Sequence, residues 1–141
     1  MNRHKMNSQD HEFFSHFNKN DISIKDFHHR EHIRLAYVLL LQHDVDTACV
    51  KLKNLLCAYL NAKGVDLTKY HETLSRAWIL AVKHFLENTP LSMSSADFIA
   101  QHPGILDASI MYTHYSRQRL DSDLARQQFV EPDLEPIPMY A

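Results

Sequence analysis

Two stretches carry residues that can do chemistry together. In "DFHHREHIRLAYVLL", residues 26–40, His28, His29 and His32 fall within five positions at the front of a helical pattern. In "KYHETLSRAWILAVKHF", residues 69–85, His71 stands at the front of another, with Glu72 beside it. At 100° per residue, with His29 at 0°, the apolar stripe Ile33, Ala36, Leu39 and Leu40 lies between about 280° and 40° and His32 at roughly 300°. His29 and His32 therefore share the apolar face, and His28 falls at its boundary. His71 lies in the same way within the stripe Leu74, Trp78, Ala81, Val82 and Phe85.

An imidazole on an apolar face needs a reason, because an unsatisfied buried polar group costs about 1–3 kcal/mol. Burial and the positive end of a helix dipole both favour the neutral ring, which is the form that binds a metal. Two histidines at i, i+3 and one from a facing helix supply three ligands and leave an open position for water or substrate. The expected centre is one divalent transition metal ion (Zn, Fe, Cu or Ni) on His29, His32 and His71, with Glu72 as fourth ligand or general base. Such a site activates water for hydrolysis or binds oxygen for an oxidation, so the first reading is a metal-dependent enzyme with a small-molecule substrate. The alternative is a non-catalytic helical interaction module whose histidines form a hydrogen-bonded core or a pH switch. Glu72 has an ordinary role open to it as well, in an exposed ion pair with Arg76 or Lys69. His114 is a further candidate ligand. Asp121 and Asp123 read as helix caps, and Tyr37 and Trp78 as the apolar wall beneath the cluster.

The elements that must position these groups are helical. The 141 residues fit one domain, and only two glycines argue against a turn-rich β fold. Residues 1–25 read as a loose polar segment in which "HEFFSHF" is compatible with a short helix. Residues 26–141 read as a single all-α domain, a compact bundle of five or six helices. Asp26 caps a helix from about 27 to 42, Asp44 or Asp46 caps a second that Gly64 ends, and Thr68 caps a third that stops before Pro90. Ser94 or Ser95 opens a fourth, "ILDASIMYTHY" a fifth and "DSDLARQQF" a sixth. The tail "VEPDLEPIPMYA" has three prolines and reads as extended.

Composition excludes other classes. A formal net charge of −2 gives no field for nucleic acid or an anionic membrane. Full protonation of the 11 histidines would add eleven charges to that total, so charge depends strongly on pH between about 5 and 8. No apolar run is long enough to span a membrane, and no secretory leader is visible. Cys49 and Cys57, eight residues apart on one helix, are roughly 12 Å from each other and read as reduced thiols of a cytoplasmic protein.

Taken together, "FHHREHIRLAYVLL", "KYHETLSRAW", "YSRQRLDSD" and "VEPDLEPIP" resemble an uncharacterised family of short bacterial helical proteins over residues 27–138. That likeness implies a complete helical domain and brings no activity with it. The order His29 or His32, then His71-Glu72, then Asp121 or Asp123 is also similar to the His, His-Asp, Asp order of HD-domain metal phosphohydrolases, with His-Glu in place of His-Asp. That second likeness implies metal-assisted hydrolysis. Helical bundles in which three histidines hold one divalent ion are an architectural analogue.

Overall fold

The apolar periodicity is realised as three long helices packed on one another. In the computed structural model, which describes residues 3–140, these are α2 (His29–Gln42), α3 (Val45–Ala62) and α4 (Glu72–Glu87). They are preceded by α1 (Ser8–Asn18) and followed by α5 (Ser95–Gln101) and the single-turn helices α6 (Met111–His114), α7 (Arg117–Leu120) and α8 (Asp123–Gln127). No strand occurs among the described residues, which show one isolated bridge between His4 and Ser92. The architecture is a compact all-α bundle.

Burial separates the three central helices. α3 is amphipathic: Val45, Leu52, Leu56 and Tyr59 form a buried stripe while Val50 on the opposite side is exposed. α2 is enclosed on more than one face. Its expected stripe is buried, and so are Leu35, Tyr37 and Val38, because α1, α3, α4 and α5 all pack around it. A helix covered on most sides has no polar face to place its histidines on, so theirs is a position at its end.

Several helix starts differ from the sequence reading. His28, not Asp26, occupies the N-cap of α2, and its N–H donates to Glu31 Oε1 at 2.9 Å, so Glu31 is a capping residue. Asp26 closes a 3₁₀ turn over Ile24–Asp26 instead. His71, not Thr68, caps α4; Thr68 lies in a 3₁₀ turn over Leu67–Lys69. Ser122 caps α8, with Asp123 in its first turn. Asp44 and Ser94 cap as expected. Gly64 ends α3 at φ 70°, where its N–H and that of Val65 reach back to the carbonyls of Asn61 and Leu60.

The N-terminal segment contains more order than its polarity suggests. Asn7 and Asp10 form a reciprocal capping pair at the start of α1, and Asp10 also accepts the N–H and hydroxyl of Ser95 at the start of α5. Phe17 is fully buried, stacked on Tyr59 at 4.7 Å and Phe27 at 5.2 Å. "ILDASIMYTHY" is not one helix: a 3₁₀ turn over Ala108–Ile110 precedes the single turn of α6. Residues 128–140 form no helix and are tied back by side chains, Thr73 donating to Gln128 O at 2.9 Å and Tyr115 to Val130 O at 2.7 Å.

Candidate functional site

The two-residue link between α2 and α3 forces the helices to run antiparallel, and the turn through Gly64 does the same for α3 and α4. The first turn of α2, the last turns of α3 and the first turn of α4 must then meet at one end of the bundle. They do so around a cavity of about 450 Å³. His28, His29, His32 and His71 all line it. The clustering read from the helical wheels is therefore realised in space.

What the rings do there differs from one to the next. His71 Nδ1 accepts the Leu74 N–H at 3.1 Å, and its Nε2 lies 2.8 Å from the Leu120 carbonyl. A backbone N–H can only donate and a carbonyl can only accept, so these partners fix the neutral Nε2–H tautomer. Both nitrogens are occupied. Burial holds this imidazole below its ordinary pKa, with the Leu120 carbonyl acting in the opposite direction. His29 Nε2 donates to the Ile105 carbonyl at 3.1 Å, and its ring meets Trp78 edge-on at 4.6 Å. Burial lowers its pKa as well, against the pull of that carbonyl and of Asp107.

His32 is the exception. Its Nε2 is sealed from solvent and has no hydrogen-bond partner. Burial, and then the neighbouring His29, push its pKa down to about 4. It is neutral at pH 7 because it is desolvated, not because a partner selects that form.

Among the described residues no three His, Cys, Asp or Glu side chains are arranged to hold one metal ion. The chemistry of the donors agrees with that geometry. His71 has no lone pair left, and freeing one would uncap α4 or strand the Leu120 carbonyl.

Glu72 does not line the cavity. Its carboxylate accepts the Tyr70 hydroxyl at 2.8 Å, and burial together with that carboxylate raises the Tyr70 pKa. The partner expected for Glu72 is taken elsewhere: Arg76 pairs with Asp46 of α3 at 2.8 Å. Because Asp46 is 84% exposed, Arg76→Ala should change stability by no more than about 1 kcal/mol. Urea unfolding measures this, and a loss well above that value would show that the contact of Arg76 with the Phe129 ring matters more than its charge.

His114 lies outside the cavity lining. Its Nδ1 donates to the Glu135 carbonyl at 2.7 Å and holds the C-terminal segment. Asp121 and Asp123 are also outside the lining, Asp121 accepting the Tyr112 hydroxyl at 3.2 Å. Tyr37 and Trp78 are not the wall either: Tyr37 donates to the Lys5 carbonyl, and Trp78 lies behind His29. The apolar wall comes from Phe27, Leu56, Tyr59, Leu60 and Leu74, with Lys69 and Tyr70 on the α3–α4 connection. The signal that could have found them is the up-down-up order of the helices, which sets the C-terminal end of the α3 stripe against the histidines.

Cys49 and Cys57 are free thiols, and burial pushes Cys49 up to about 11. Among the described residues no helix is long and apolar enough to cross a membrane. No protein-family model, curated protein or solved structure matches the chain.

Proposed function

We propose that this chain is a non-catalytic helical binding module, in which neutral histidines tie three parts of the bundle together around an apolar cavity. The observation that carries this reading is the double use of His71. One nitrogen caps α4 and the other holds α7, so the ring works as a structural hydrogen-bonding residue. His29 plays a similar part towards the 3₁₀ turn that contains Ile105.

This reading is preferred to a three-histidine metal enzyme because metal binding would have to break contacts that the fold uses. It also fits the position of Glu72, whose carboxylate is engaged with Tyr70 and outside the cavity. The histidines give the module a built-in response to acid, since all three are held neutral by burial. The proline-containing tail belongs to the same picture as an extended strap, joined to α4 through Thr73.

Metal titration of tag-free protein tests the choice. Zn, Fe(II) and Cu offered against a competing chelator should give only weak binding spread over several exposed histidines. One tight ion per chain, lost when His29 or His71 is changed, would contradict the proposal and restore the metal site.

A further inference from the structure

The cavity has a chemical polarity that narrows what it can accept. Most of its wall is apolar, formed by side chains such as Phe27, Leu56, Leu60 and Leu74. Its polar lining consists of imidazoles, hydroxyls and one lysine, Lys69, and contains no carboxylate. In a chain with a formal net charge of −2, a concave surface without a single acid is a local departure from the whole.

Two further features act in the same direction. The first turns of α2 and α4, helices of 14 and 16 residues, both border the space, so the positive ends of two helix dipoles lie beside it. His32, which also lines it, has a desolvated Nε2 with no partner. The volume of about 450 Å³ lies within the range of small-molecule pockets, roughly 300–1,000 Å³.

We infer that this cavity binds a small amphipathic monoanion, with its apolar body against the α3–α4 wall and its carboxylate or equivalent head towards Lys69 and the first turns of α2 and α4. The inference rests on the binding-module reading and adds the class of ligand. A cation would meet Lys69 and two helix N-termini, while the acids of those first turns, Glu31 and Glu72, lie outside the lining and are engaged by the His28 N–H and the Tyr70 hydroxyl. A neutral amphiphile would gain the wall and leave the electrostatic complement unused.

The chain carries its own reporter, because Trp78 is its single tryptophan and packs on His29, which lines the cavity. The full chain is titrated with octanoate, octanol and octylammonium at matched ionic strength, following Trp78 fluorescence and, independently, heat. Octanoate should bind about tenfold or more tightly than octanol, with octylammonium weakest. Lys69→Glu alters an exposed side chain in a turn held by its backbone, so the fold is retained. It should weaken octanoate about tenfold and leave octanol unchanged. Equal affinities for octanoate and octanol, or an octanoate affinity indifferent to Lys69→Glu, would overturn the anionic preference. So would a lack of octanoate binding. The histidine reading stands or falls separately, on the metal titration.

Discussion

Replacing His71 with leucine should destabilise the protein by about 2 kcal/mol, although it puts a hydrophobe on an apolar stripe. Two losses add. The Leu120 carbonyl loses its donor, at a cost of about 1–3 kcal/mol for a part-buried acceptor. The Leu74 N–H loses its cap, worth about 1 kcal/mol. Added apolar burial offsets part of this, on the order of 1 kcal/mol. Asparagine at the same position separates the contributions. Its short side chain caps a helix well, so it should recover about 1 kcal/mol while still failing to reach Leu120. Urea midpoints at unchanged slope measure both variants. A leucine variant as stable as the parent would mean that the ring is a desolvated group without partners, which is what a ligand set awaiting a metal requires.

The same substitution at His32 should have the opposite sign. Here the buried Nε2 has no partner, so nothing is stranded when the ring is removed. His32→Leu should stabilise the protein by about 1–3 kcal/mol at pH 7, the desolvation cost of one unsatisfied polar atom. The effect should grow in acid. Burial lowers the folded-state pKa from 6.5 to about 4, so between those values the unfolded chain binds the proton and the folded chain does not. Protonation of the unfolded chain therefore costs the folded state nothing above about 6.5 and costs it progressively more as pH falls towards about 4. For a shift of that size the loss is on the order of 3 kcal/mol. The parent protein should therefore show a steep acid limb that the variant flattens but does not abolish, since His29 and His71 are also held below their ordinary values. Unfolding curves from pH 7 to pH 4 would show it. Parallel limbs for parent and variant would mean that His32 is not the group responsible.

These opposite signs mark where sequence reading stops. Helical wheels place His29 and His32 on the apolar face of α2, His71 stands just ahead of the α4 stripe as its N-cap, and all three line one cavity. Periodicity cannot say what lies opposite each ring. The partners of His71 and His29 are the carbonyls of Leu120 and Ile105, 49 and 76 residues away in the chain, on a helix of one turn and a 3₁₀ turn. Backbone carbonyls leave no mark in residue types. The caps show the same limit: His28 and His71 take positions where aspartate or threonine is the usual choice, and Asp26 and Thr68 lie two and three residues ahead of the true caps. The long helices were legible because their stripes extend over many turns. α8 falls within "DSDLARQQF" and α1 contains "HEFFSHF", both legible as short helices, whereas α6 and α7 have too few residues for a period to show.

The most direct test of the central claim observes the His71 ring nitrogens by ¹⁵N NMR. At pH 7 they should report a neutral ring with the proton on Nε2 and a hydrogen-bonded, unprotonated Nδ1. One equivalent of Zn should leave both resonances in place. A displacement of either His71 nitrogen by stoichiometric Zn, together with His29 and His32, would contradict the structural role assigned to these histidines.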